Sequence, residues 1–159
     1  MATKAINKNG TIKVYQGVPK VLYASNGTHL NAPAMSEASL KEAGLFDVVL
    51  PTDYNSAIHD LSDIFWDSEN TVFTYTKSNK TWDQSLADMK AAKIVNLKDV
   101  YKSKLAETDW YTSRKSELGT AIPQDILDAR AALRTECDTK EAEINSKTTK
   151  AQVVLYNIN

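Results

Sequence analysis

Residues Thr81–Leu105 read TWDQSLADMKAAKIVNLKDVYKSKL. Trp82, Leu86, Met89, Ile94, Leu97, Tyr101 and Leu105 recur at the spacing of one broad face of an α-helix. Asp88, Lys98, Asp99 and Lys102 lie on the opposite, polar face. Thr81 and Gln84 stand three residues apart at the start of this pattern. That is a capping box, in which the threonine hydroxyl accepts from the backbone of Gln84 and the glutamine reaches back. A long amphipathic helix is therefore expected from about Trp82 onward.

Downstream, the helical period breaks at Thr108-Asp109. A short helix then runs from Trp110 to Leu118, with Gly119 as its stop. Pro123 is expected in the first turn of a further helix, where its missing N–H leaves no bond unmade. On that helix Ile126, Leu133, Cys137 and Ile144 form a narrow stripe at spacings of seven, four and seven, and Arg130 fills the remaining heptad position. Trp110 and Tyr111 stand one turn from Arg114, so the guanidinium can cover the indole and the cluster can lock the turn between helices. The charge-rich run Glu136 to Glu143 reads as a solvated helix face. Ala151–Asn159 (AQVVLYNIN) has lost the helical charges and reads as a short strand, whose exposed edge would invite pairing with a neighbour.

Upstream the texture changes. Residues 1–80 hold four of the five glycines and three of the four prolines. Thr11–Gln16 alternates polar and apolar residues, with Ile12 and Val14 on one face, and Val21-Leu22-Tyr23 follows a turn at Gly17-Val18-Pro19. Ser25-Asn26-Gly27 is a turn signal, and Ser36–Ala43 reads as one helical segment capped by Ser36 and ended by Gly44. Phe46–Leu50 is a short apolar strand stopped by Pro51. Ile64-Phe65-Trp66 and Thr71–Thr76 flank a four-residue hairpin turn, Asp67–Asn70. The fold class that follows is α+β: a small β-rich N-terminal region over 1–80, a long helical hairpin or bundle over 81–150, and a C-terminal strand over 151–159. Trp66 and Trp82 are expected to anchor the junction between the first two.

Composition narrows the function classes. Nineteen basic and twenty acidic residues leave a net charge of −1, interleaved along the chain, so the basic face of a nucleic-acid binder is not expected. The N-terminus has no apolar run after its lysines, and no segment is long and apolar enough to span a bilayer, so no membrane association is expected. Cys137 is the single cysteine, which suits a reducing compartment. On the apolar stripe it reads as a buried small hydrophobe rather than a nucleophile. His59 with Asp60 and Asp63 is the best metal candidate, and a solvated loop is the favoured reading of it. Asp60/Asp63 and Asp67/Glu69 read as turn residues rather than an acid–base pair, and no nucleophile elbow, zincin motif or phosphate loop occurs. The expectation is a protein that is not an enzyme, holds no metal or cofactor, and works by binding other proteins.

One stretch carries a resemblance. Leu105–Arg134 contains Thr108-Asp109-Trp110-Tyr111, then Arg114, Glu117 and Gly119, then Ile122-Pro123, and finally Ala129-Arg130 with Leu133-Arg134. In order and spacing these residues resemble the phage tail assembly chaperone family, across about thirty residues of the chain. Where family members commonly read Val-Ile-Arg, this chain has Thr112-Ser113-Arg114. The resemblance implies a structural component of a tailed-bacteriophage tail, placed in the baseplate, tail or tail-fibre attachment. Such a component would be made in the host bacterial cytoplasm and would end in the virion. Other phage tail proteins would be its partners, in an oligomeric assembly or hetero-complex. The alternative it implies is a transient tail or tail-fibre assembly chaperone absent from the mature virion. A third reading, a receptor-binding adhesin, would use Tyr54 and His59. In each case the expected working residues are packing residues. Trp110, Arg114, Gly119 and Pro123 should set the helix turns, and Ile126, Leu133 and Ile144 should bury the stripe.

Overall fold

Asn9 and Gly10 both adopt positive φ, 53° and 84°, the left-handed conformation that turns one strand back beside another with the natural twist. They join β1 (Thr3–Lys8) to β2 (Thr11–Gln16) in full antiparallel register. The computed structural model describes residues 2–159 as an α+β chain. It divides into two compact units, Met1–Lys80 and Thr81–Asn159, each with its own core.

In the first unit β1 is the central strand, flanked by β2 and by β5 (Leu45–Asp47). Sequence reading assigned no strand to Thr3–Lys8, although Ala5 and Ile6 are buried there. The pairings put Ile6 and Leu45 on one face, and Ala5, Val14 and Phe46 on the other. On the first face Leu22 and Ala24 of β3 (Leu22–Ala24), Leu40 of α1 (Glu37–Glu42) and Ala43 close the core. Ser36 caps α1 by accepting from Ser39 N at 3.1 Å, and Gly44, at φ 85°, turns the chain out of it. β3 pairs with β4 (Gly27–His29) across Ser25-Asn26, and a 3-10 turn spans Ala32–Ala34. Val14 is 40% exposed, so the Ile12/Val14 face of β2 is the less buried one; Tyr15, on the other face, packs on the core.

A charge sits inside this sheet. Lys4 on β1 is 4% exposed, donates to Glu37 at the start of α1, and lies 3.0 Å from Asp47 Oδ1 on β5. Burial disfavours its charged form, but the hydrogen bonds it donates to Glu37 and Asp47 and their charges outweigh that and hold its pKa above the ordinary lysine value. The ion triad ties α1 to two strands.

The rest of the unit is one long, bent hairpin. β6 (His59–Leu61) pairs with β9 (Lys77–Asn79), and inside it β7 (Phe65–Asp67) pairs with β8 (Val72–Thr74). At the bend Ser62 N donates to Thr76 O and Thr76 N to Ser62 Oγ, both at 2.9 Å. The tip loop is Ser68–Thr71, one residue later than the expected turn, because Asp67 still pairs with Val72. Its carboxylate accepts from Glu69 N and from Asn70, which holds its pKa down. A parallel bridge from Val48 to Phe73 connects the hairpin to β5. Within this unit the Trp66 ring lies tilted against Phe46 at 4.5 Å and edge-on to Phe73 at 5.1 Å.

The second unit is built on α2 (Leu86–Ala106) and α4 (Gln124–Ser146), packed antiparallel, as the pairs Lys90–Asn145, Lys98–Glu141 and Leu105–Arg130 require. Leu97, Tyr101 and Ile144 form its buried centre, with Ile94, Leu133 and Cys137 packed against it. α2 starts later than the capping box at Thr81 predicts. Ser85 is the cap, accepting from Asp88 N at 3.1 Å and donating to Asp88 Oδ2 at 2.6 Å. The physical reason is tertiary: the Trp82 carbonyl, which an earlier helix would bond internally, accepts from Lys150 Nζ at 2.8 Å. Pro123 likewise sits just before α4, and its carbonyl accepts the first helical bond from Leu127 N at 3.2 Å.

The expected C-terminal strand is a helix, α5 (Lys150–Leu155). Thr149 and Gln152 form a reciprocal capping box at its start, and Val153 is buried at 2% exposure. Cationic lysines hold its exit: Lys93 Nζ donates to Val154 O, and Lys140 Nζ to Ile158 O and Asn159 O. Tyr156 and Ile158 return to the α2/α4 core, which leaves no terminal strand edge to pair.

Candidate protein-interaction site

The turn between α2 and α3 (Asp109–Leu118) is held from below by α4. Arg130, 8% exposed, donates from Nη1 to Leu105 O at 2.8 Å and to Thr108 Oγ1 at 2.5 Å, and from Nη2 to Asp109 Oδ1 at 2.9 Å. Leu105 O lies in the last turn of α2, where carbonyls lack the regular helical donor, and Thr108 Oγ1 and Asp109 Oδ1 are side-chain acceptors where α3 begins. A planar guanidinium meets several such acceptors at fixed angles, which is what an arginine in an apolar stripe is suited to do. Sequence reading placed this work on Trp110, Arg114 and Pro123. The residue that performs it is Arg130, whose lone cationic side chain among apolar heptad positions was the available signal.

Trp110, expected to lock the turn, is 51% exposed. Its ring lies 3.8 Å from that of Tyr111, centroid to centroid, and the Arg114 guanidinium sits 4.9 Å from the indole and 5.6 Å from the phenol. The expected cover of indole by arginine is thus present, but on the surface. Arg114 Nε is buried without a hydrogen-bond partner among the described residues. No residue of α3 is buried, and Leu118 at its end is 73% exposed. Gly119 closes α3 in the left-handed conformation at φ 70°, donating to Lys115 O at 3.0 Å. Of the expected stripe, Ile144 is wholly buried; Ile126, on α4 beyond the end of α2, and Leu133, at the edge of the α2/α4 seam, are half-buried.

Beside that turn a groove of about 390 Å³ runs between α2 and α4. Tyr101, Leu105, Leu133 and Cys137 line it, and Lys98, Lys102, Arg130 and Arg134 stand around it with Asp109 and Asp138. Lys98 is paired with Glu141 at 2.9 Å. Burial, then the charge of Asp138, pushes the Cys137 thiol up, so it is protonated at neutral pH. Burial, ahead of the nearby Glu136 carboxylate, also raises the Tyr101 hydroxyl.

The other sequence candidates lie apart from this surface. His59, the first residue of β6, accepts at Nδ1 from Asn55 N at 3.0 Å, and its ring lies 6.3 Å from that of Tyr54 in the turn before that strand. Among the described residues no three His, Cys, Asp or Glu side chains converge as metal ligands would, and no helix is long and apolar enough to cross a membrane. What the second unit defines is an antiparallel helical hairpin that carries an unburied helix and a basic-rimmed apolar groove. No family model, curated protein or solved structure matches the chain.

Proposed function

We propose that this chain is a structural component of a tailed-bacteriophage tail, acting through protein–protein packing in the baseplate, tail or tail-fibre attachment. The observation that carries the reading is α3, ten residues long without one buried residue. A helix that short is marginal alone in water, and one in a globular chain normally buries an apolar stripe. α3 instead presents Trp110, Tyr111 and Arg114 as a stacked cluster, with Leu118 beyond them. Aromatic and arginine side chains of this kind are the usual anchors of protein interfaces. The same helix lies within Leu105–Arg134, the stretch that resembles the tail assembly chaperone family, which supplies the tail as the setting.

The alternative, a transient tail or tail-fibre assembly chaperone, has one observation in its favour: the apolar groove between α2 and α4, open to hold a segment of a client. Quantitative mass spectrometry of purified particles of the phage encoding this chain decides between them. A structural subunit is expected at fixed stoichiometry in the particle. Abundance in infected cells with absence from particles would overturn the structural reading in favour of the chaperone.

A further inference from the structure

We propose that the groove between α2 and α4 is a docking site for an acidic amphipathic helix of a partner protein. The inference needs only that the chain binds proteins, and it holds whether or not the chain resides in a virion. Two antiparallel helices leave between them a seam into which the apolar face of a third can pack. Here the seam is floored by Tyr101, Leu105, Leu133 and Cys137. From Lys98 to Leu105 it extends about 11 Å along α2, which seats a partner helix by one or two aliphatic side chains.

The charges select the partner's sign. Two of the surrounding cations are already committed within the chain, Arg130 to Asp109 and Lys98 to Glu141. Lys102 on the α2 side and Arg134 on the α4 side are exposed and form no ion pair among the described residues. They face the groove from both helices and outnumber its one uncommitted carboxylate, Asp138, so carboxylates on each flank of a docked helix would meet a cation. The floor holds a single aromatic ring, Tyr101, and no platform of successive rings, and the chain's net charge is −1, which favours a peptide over a nucleic acid.

Cys137, the only thiol in the chain, reports on occupancy because it lies in the groove. The probe is a synthetic helical peptide of about five turns, with leucines along one face and glutamates on both flanks. Its control carries lysine for every glutamate. Binding to the intact chain is read by fluorescence anisotropy, and alkylation of Cys137 is timed in parallel. The acidic peptide is expected to bind saturably and to slow alkylation, while the basic control does neither. K102E/R134E should weaken the acidic peptide by roughly tenfold and admit the basic one. K102Q/R134Q should give an intermediate loss with an unchanged melting temperature. Binding without protection of Cys137, or binding indifferent to peptide charge, would overturn the proposal. So would concentration-dependent self-association that protects Cys137 without peptide, which would assign the groove to a second copy of the chain.

Discussion

Arg130 shows how one polar side chain in an apolar stripe can direct a helical turn. Its guanidinium gathers Leu105 O, Thr108 Oγ1 and Asp109 Oδ1. Replacing it by alanine removes these three bonds, although Leu105 O still accepts from Thr108 N and Thr108 Oγ1, so R130A should cost about 1–3 kcal/mol in chemical denaturation. R130K should recover only part of that, because an ammonium cannot reproduce the fork. W110A should cost only about 1 kcal/mol, since a half-exposed ring loses little burial and one surface cation–π contact. Equal melting of R130A and wild type would refute the assignment. Lys4 gives a second asymmetry. Its carboxylate partners Glu37 and Asp47 remain 59% and 40% exposed, whereas the ammonium is buried. E37Q/D47N therefore strands a buried cation and should cost about 3–5 kcal/mol, while K4M, which leaves only solvated carboxylates, should cost clearly less.

At the scale of elements, β1 and α5 are where sequence and structure parted. The hairpin signal Asn9-Gly10 was present in the chain, but the strand before it is lysine-rich and does not alternate clearly, because Lys4 is itself buried in an ion triad. At the other end Val153 and Val154 suggest a strand, yet Thr149 and Gln152 cap a helix whose burial decides the matter. The docking of α5 can be tested by pH. Tyr156 donates to Glu143 Oε2 at 2.7 Å, and burial, then that carboxylate, pushes its pKa up from 10.0 to about 12. In this window the unfolded chain releases the phenolic proton and the folded chain keeps it. Stability from Tyr156 is thus complete below pH 10 and declines towards pH 12. Denaturation of Y156F across that range should show a shallower decline than wild type, and identical slopes would contradict the phenol–carboxylate contact.

At the scale of the molecule, two cores without a shared residue stand in two units of the chain. L22A opens a cavity in the first core and should cost that unit about 2–5 kcal/mol. The helical circular-dichroism signal, which comes mainly from α2 and α4, should then persist above the temperature at which Trp66 fluorescence changes. Simultaneous loss of both signals would mean that the units unfold as one.

The sequence by itself determined the α+β class, the amphipathic faces of α2 and α4, the stop at Gly119 and the cap of α1. These rest on periodicity and on single residues acting over one or two turns. The tertiary structure decided the burial of Lys4 and the work of Arg130, and it completed the start of α2 and the helical state of α5, whose local caps are Ser85 with Asp88 and Thr149 with Gln152. Each of these depends on a partner distant in the chain: Lys150 on the Trp82 carbonyl, the α2/α4 core beneath Tyr156, Glu37 on Lys4, and Leu105 under Arg130. Local propensity in such segments is balanced between states, and the few kcal/mol supplied by a contact between distant residues chooses one.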